Sequence, residues 1–297
     1  MNKIIESVPN FSEGRNTAKI ERIADAFRSS QCVKLLNYSA DRDHNRMVVT
    51  AAGEPEAMKE AVINAIGIAV SEIDLNVHQG QHPRIGAADV VPFIPLQGMD
   101  MAEADAVAKA VGREVAEKYG LPVFLYEKSA SAEHRRNLAE VRKGEFEGLA
   151  EKMKLPEWKP DFGPSSPHPT AGAAVIGARM PLIAFNVNLA TDNLEIAKSI
   201  ARKIRFSSGG MPCLKALGME LKEKNCVQVS MNLTDYTQTS LYDAVEAVRR
   251  EAASFGVSLI GSELIGMLPL QAISDAAATY LGLDNFSTDK ILEVTID

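Results

Sequence analysis

The 297-residue chain has little of what usually announces a function. It holds three cysteines, Cys32, Cys213 and Cys226, far apart and with no CxxC pair. So sparse and odd a set builds neither a disulfide framework nor a zinc site, and it reads as reduced thiols of a cytoplasmic protein. Each is expected as a small buried hydrophobe, not a nucleophile. Lys and Arg never form a long run and the formal net charge is -7, which excludes nucleic acid or an anionic membrane as the main partner. No stretch approaches the ~18 apolar residues needed to cross a bilayer. The chain runs straight into strand-like Ile4–Val8, without the basic region and apolar core of a secretion signal. Neither a P-loop nor G-x-G-x-x-G is present, and Gly209-Gly210 follows a helical segment instead of a strand. Nucleotide binding of the usual kinds is therefore unsupported.

What is present is an ordinary globular composition, with 46% hydrophobic and 24% charged residues. Periodicity predicts strands at Lys3–Val8, Val33–Leu36, Met47–Thr50, Val90–Leu96 and Val123–Tyr126, with Ser39–Asn45 as a charged loop. Helices are expected at Thr17–Ser29, Glu54–Ile73 and Asp100–Tyr119, the last closed by Gly120. Ala132–Met153 reads as a charged helical arm whose His134, Arg135 and Arg136 form a solvated face. The composition changes at Leu155–Gly172, which carries five prolines and the single tryptophan, Trp158, and reads as a stiff boundary between halves. The second half predicts strands at Pro181–Leu189, Ala216–Leu221, Val227–Leu233 and Val257–Ile260. Its helices are Asp192–Ile204, capped by Thr191 or Asp192, then Ser240–Phe255 and Leu270–Leu281. Both halves, taken as 1–178 and 179–297, open β-α-β-β-α-β. The fold class is α/β (α+β), with two ferredoxin-like subdomains of mixed sheets. Sheets covered by helices on their outer faces are expected to face each other across a cleft, the default ligand site.

The stretch richest in chemistry is Val77–Val90, with two imidazoles, Arg84, Gly80, Gly86 and Pro83. Glycine and proline forbid a continuous helix, so the histidines sit on a shaped loop. His82 is the leading candidate for a proton-transfer group. The neighbouring Arg84 suits an anionic substrate. His78 and His82 are four apart, as in a helical zinc site, but the helix is broken and no third ligand is evident, so no metal is expected. His78 reads as a loop-packing residue. In Asp41-Arg42-Asp43-His44 the charges read as a solvated turn, and Arg46 is kept as a carboxylate contact.

Several of these pieces, in order along almost the whole chain, resemble the formiminotransferase family. They include Val8-Pro9-Asn10-Phe11-Ser12-Glu13-Gly14-Arg15, Gln81-His82-Pro83-Arg84-Ile85-Gly86-Ala87-Ala88-Asp89-Val90 and Pro160-Asp161-Phe162-Gly163-Pro164-Ser165-Ser166. Further matches are Ile183-Ala184-Phe185-Asn186-Val187-Asn188-Leu189, Gln228-Val229-Ser230-Met231-Asn232-Leu233 and Gly261-Ser262-Glu263-Leu264-Ile265-Gly266. The resemblance implies transfer of a formimino group between N-formimino-L-glutamate and tetrahydrofolate, in histidine degradation, by a cytoplasmic homodimer with a folate tunnel. It implies His82 as catalytic residue and Gly163, Pro164, Ser165, Ser166, Pro167, His168, Pro169, Thr170, Ala171 and Gly172 as a folate-binding loop. Tetrahydrofolate is then a co-substrate. One imidazole could deprotonate the attacking amine and protonate the departing one. The substrates' carboxylates need cationic or amide partners, for which Arg84, Arg46, Asn188 and Asn232 are the candidates. The loop keeps the family frame Gly-Pro-Ser-Ser-x-x-Pro-x-x-Gly, yet it has Pro167-His168 and Thr170-Ala171 where animal members carry bulky apolar residues and a tryptophan. Their basic glycine loop is replaced by Ser207–Pro212, and no cyclodeaminase half follows. Competing readings are a 5-formyltetrahydrofolate–glutamate formyltransferase on the same scaffold, a non-catalytic folate-binding protein, and a metal hydrolase using His78 and His82.

Overall fold

A computed structural model of the chain describes residues 3–296. The chain divides after Arg179 into two compact units.

In the first unit, β1 (Ile5–Ser7) and β2 (Asn10–Phe11) are two pieces of one interrupted strand, since both pair with β4 (Arg46–Gly53) and β5 (Ala88–Pro95). Pro9 lies at the break, where it need donate no ladder hydrogen bond, while its carbonyl still accepts from Val49 N at 3.0 Å. β3 (Val33–Asp41) pairs with the outer side of β4, and beyond β5 come β7 (Ala174–Ala178) and β6 (Val123–Leu125), both parallel to their neighbours. The spatial order β3-β4-β1-β5 is the ferredoxin-like one, here extended by two parallel strands. β3 and β4 form a longer hairpin than their apolar residues predict, so the expected charged loop shrinks to residues 42–45. Asn45 closes it at φ +48°, a conformation that asparagine tolerates. β7 carries no alternation because it is buried on both faces, which explains why periodicity misses it.

Helices α1 (Thr17–Arg28), α2 (Pro55–Glu72) and α3 (Met101–Tyr119) share one core with this sheet, meeting Met47, Val49, Phe93 and Ile176 through Phe27, Ile66 and Val111. α3 starts in a capping box between Asp100 and Glu103 and ends at Gly120 in the left-handed region. A smaller cluster on Val90, Phe124 and Val175 is covered by Val141, Leu149 and Met153. The expected single arm is therefore two short helices, α4 (Leu138–Arg142) and α5 (Glu145–Lys152), broken at Gly144 with φ +90°. Lys152 Nζ donates to the carbonyls of Glu140, Val141 and Lys143, which end α4, at 2.7–3.1 Å.

Arg135, expected in solvent, is buried, paired with Asp161 at 2.7 Å and donating to the Glu157 and Lys159 carbonyls. The proline-rich segment is thus pinned inside the first unit, with Asp161 N and Phe162 N also bonded to Val123 O.

The second unit is β8 (Ile183–Leu189), α6 (Leu194–Ile204), β9 (Leu214–Leu221), β10 (Cys226–Leu233), α7 (Leu241–Ser254) and β11 (Leu259–Ile265). Its antiparallel order β11-β8-β10-β9 is again ferredoxin-like. The cap of α6 is Asn193, whose side chain accepts from Glu195 N, rather than Thr191 or Asp192. α8 (Leu270–Leu281) and a short α9 (Leu292–Ile296) complete the unit. Of the cysteines, Cys226 is buried as expected, but Cys32 is exposed. Among the described residues no helix is long and apolar enough to cross a membrane.

Candidate active site

Three loops of the first unit meet at the ends of β2, β4 and β5: residues 9–16, 42–45 and 76–87. Their backbones cross so closely that side chains are excluded at the crossings. A Cβ on Gly14 would stand 2.1 Å from Asp41 O, and one on Gly80 2.2 Å from His44 O. Asn45 ties all three loops, accepting from Gly14 N at 2.9 Å and donating to Gln79 O at 3.0 Å. Ser12 Oγ donates to Gly86 O at 2.7 Å, and Glu13 Oε1 accepts from Arg15 N and Asn16 N. These contacts and crossings lock the three loops to one another through the backbone.

His78 serves that lock. Its Nε2 donates to Asn45 O at 2.9 Å, so Nδ1 is the acceptor, and Arg84 Nε donates to it at 3.3 Å. Burial is the main reason its pKa is lowered. Arg84 is itself buried and ion-paired to Glu145 and Glu147 at 3.2 and 2.8 Å. Its guanidinium is thus engaged by the start of α5, and it fixes the loop from behind.

His82 is half-buried on the same loop. Arg46, the first residue of β4, places Nη1 3.3 Å from its Nε2 and 3.4 Å from its Nδ1, too even a split for one directed hydrogen bond. The His44 ring lies 6.4 Å away, centroid to centroid. Arg142, from α4, pairs with buried Asp89, whose other oxygen accepts from Ile85 N at 2.8 Å. Desolvation first, then the Arg46 and Arg142 charges, push the His82 pKa down to about 3. The imidazole is therefore uncharged at neutral pH and can accept a proton. Arg46 Nε is buried without a hydrogen-bond partner among the described residues.

The segment 163–172 crosses the histidine loop at a bridge between Gly86 and Gly172. A Cβ on Gly86 would meet Ala173 O at 2.0 Å, and one on Gly172, at φ +69°, would meet Ile85 O at 2.1 Å. His168 Nδ1 accepts from Ala171 N at 3.1 Å, closing the segment on itself. Its residues divide in two. Gly163 to Ser166 are exposed, whereas Ala171 points into the core and Gly172 is buried. Pro167, His168 and Pro169 line a cavity of about 550 Å³ with Asn76, Phe146 and Glu147. A second cavity of about 510 Å³ is lined by His78, Gly80, Arg84 and Glu145.

The remaining sequence candidates, Asn188 and Asn232, lie in the second unit, on β8 and β10. Asn188 Oδ1 accepts from Gln228 Nε2 at 2.9 Å. Sequence reasoning missed Asn45, Asp89 and Arg142 as parts of the site. Asn45 could have been found as the left-handed residue a tight hairpin requires. Arg142 carries no local signal, since its partner is 53 residues away. Among the described residues no group of three or more His, Cys, Asp or Glu is gathered as for a metal.

Fold and site together define an α/β protein that holds an uncharged imidazole beside a guanidinium on a locked loop. Two family models cover nearly the whole chain: the formiminotransferase domain, N-terminal subdomain, at residues 4–179, and the formiminotransferase domain at residues 184–295. A glutamate formimidoyltransferase of Streptococcus pyogenes serotype M1 is 46% identical over 99% of this chain and 98% of its own length. One of Thermoplasma acidophilum is 47% identical over 98% of this chain and 96% of its own. The formimidoyltransferase-cyclodeaminase of Mus musculus is 43% identical over 94% of this chain, which spans 53% of that protein. The chain belongs to the formiminotransferase family.

Proposed function

We propose that this protein transfers a formimino group between N-formimino-L-glutamate and tetrahydrofolate, with His82 as general base and then general acid. The observation that carries it is the uncharged His82 imidazole, held on a loop locked by backbone and touching Arg46. A folate ring nitrogen attacks the amidine carbon of N-formimino-glutamate, and its N–H proton passes to His82. The tetrahedral adduct then breaks its bond to glutamate's nitrogen, which takes that proton as it leaves. Proton balance closes on one imidazole, and such catalysis is worth ~10²–10⁴-fold. The rest comes from holding carbon and nitrogen in register.

A base with so low a pKa is weak. Arg46 resolves this: a substrate carboxylate bound to its guanidinium cancels much of the positive field at His82 and lifts the pKa towards the working range. Of the sequence candidates, Arg46 is therefore the carboxylate anchor. Arg84, neutralised by Glu145 and Glu147, positions the loop. The exposed Gly163–Ser166 and the cavity wall Pro167–Pro169 are the folate-contacting part of their segment, and Ala171 and Gly172 act through the backbone. A cytoplasmic homodimer completes this reading.

The test is an assay of the purified protein with N-formimino-L-glutamate and tetrahydrofolate. Formation of 5-formiminotetrahydrofolate by wild type and its near-loss in His82→Gln, with folate binding retained, is expected. Undiminished turnover in His82→Gln would defeat the assignment of the base. Turnover only from 5-formyltetrahydrofolate and glutamate would replace the one-carbon group by formyl.

A further inference from the structure

The stretch that follows His82 is held from two sides by one helical hairpin. From α5, Phe146 N donates to Arg84 O at 2.9 Å, and Glu147 pairs with the Arg84 guanidinium at 2.8 Å. From α4, Arg142 Nε donates to Asp89 Oδ2 at 2.9 Å, while Asp89 Oδ1 accepts from Ile85 N at 2.8 Å. Asp89 is only 1% exposed, so its carboxylate depends on these partners for the hydrogen bonds that water would otherwise supply. Arg142 thereby does two things at once. It supports the turn 85–89, and its charge acts on His82.

α4 by itself is a poor platform for that guanidinium. It has five residues, too few for a helix to hold its shape alone, and a helix end leaves its last carbonyls without partners inside the helix. The chain then reverses through Gly144 at φ +90° and Glu145 at φ +54°, two left-handed residues in a row, of which the second is not glycine. Such a joint persists only where its surroundings impose it.

Lys152, at the far end of α5, supplies that constraint. Its half-buried ammonium donates to Glu140 O at 2.7 Å, Val141 O at 2.8 Å and Lys143 O at 3.1 Å. The three carbonyls lie on both sides of Arg142 in the chain, and they use all three donors of the ammonium. The same Nζ stands 3.7 Å from the centroid of the Trp158 ring, which favours a cation there.

We propose that Lys152 is a positioning residue for the reaction: by gripping the carbonyls on both sides of Arg142, it holds that guanidinium on Asp89 and so sets the loop and the charge beside His82. This role presupposes that His82 is the base of formimino transfer. Arg46, the carboxylate anchor, is outside this chain of contacts, so the loss of Lys152 should appear in kcat and not in KM.

The experiment measures formimino transfer from N-formimino-L-glutamate to tetrahydrofolate by wild type, Lys152→Met, Lys152→Arg, Arg142→Met and the double variant of Lys152→Met and Arg142→Met. Lys152→Met keeps the stem without the donors and should lower kcat by ~10–100-fold, with KM for N-formimino-glutamate changed by less than ~3-fold. Lys152→Arg offers N–H donors and a charge to the same carbonyls and should recover most of the lost kcat. In the Arg142→Met background, Lys152→Met should lower kcat no further, although the melting temperature still falls. NMR titration of His82 should find its pKa raised in Lys152→Met, as the Arg142 charge withdraws. Losses of kcat that multiply in the double variant, or an unmoved His82 pKa, would overturn the proposal, since a purely structural lysine would give both. Lys152→Gln carries the same comparisons if Lys152→Met does not fold. Wild type without formimino transfer would overturn the reading of His82 as the base, and the NMR titration, which needs no turnover, would still decide whether Lys152 holds Arg142 in place.

Discussion

The two units share β-α-β-β-α-β order but place their polar residues by different means. In the first, His82, Asn45 and Arg84 sit on loops, and those loops are immobilised by crossings so close that only glycine fits. In the second, Asn186, Asn188 and Gln228 stand on paired strands, and the ladder positions them without any help from loops. A loop can aim an imidazole that no regular strand position would aim, at the cost of depending on every crossing. A strand gives a fixed spacing of alternate side chains, suited to a flat array. The contrast is one of means: costly loop geometry holds the imidazole, and cheap strand geometry holds the amide array.

The largest expected effect comes from breaking the crossing. Gly172→Ala forces a left-handed alanine against Ile85 O and should cost ~2–4 kcal/mol by thermal unfolding, with kcat down by ~10²-fold as His82 shifts. Gly218→Ala in the second unit puts a Cβ 2.4 Å from Lys198 N of α6. It should cost similar stability yet leave kcat nearly intact, and equal losses of kcat in both variants would erase the contrast between the units. Next is Arg46→Met. It should raise KM for N-formimino-glutamate by ~10–100-fold, as expected for a lost charge-assisted contact, and NMR titration should find the His82 pKa well above its wild-type position. A pKa that stays put would mean that burial alone depresses it.

A smaller effect concerns pH. His82 has a pKa of about 3 when folded, against ~6.5 for a free histidine. Between these values the unfolded chain binds more protons, so this group makes stability rise with pH across that window and has no effect above it. Denaturant melts of His82→Gln from pH 4 to pH 7 should show a shallower rise than wild type. Smallest is Asn45→Ala, which removes the side chain that joins three loops. A loss of ~1–3 kcal/mol is expected for Gly14 N and Gln79 O left unpaired, read as a lower melting temperature with an intact fold.

The sequence by itself determined the two ferredoxin-like halves, because strand alternation and helical spacing are local, and it singled out His82 because Gly80, Pro83 and Gly86 enforce a loop. It also carried the C-terminal cap at Gly120, a contact within one turn. Tertiary structure alone decided the rest. β7 is buried on both faces and so has no period to read. Arg135 has the composition of a solvated face, yet Asp161 and two carbonyls from the proline-rich segment fold back onto it. Arg84 and Arg46 look equivalent as guanidiniums near histidine. Only the arrival of α5 spends the charge of one on Glu145 and Glu147 and leaves the other beside His82. Charge type is written in the sequence, but whether a charge is free or neutralised depends on partners tens of residues away, and that is a property of packing.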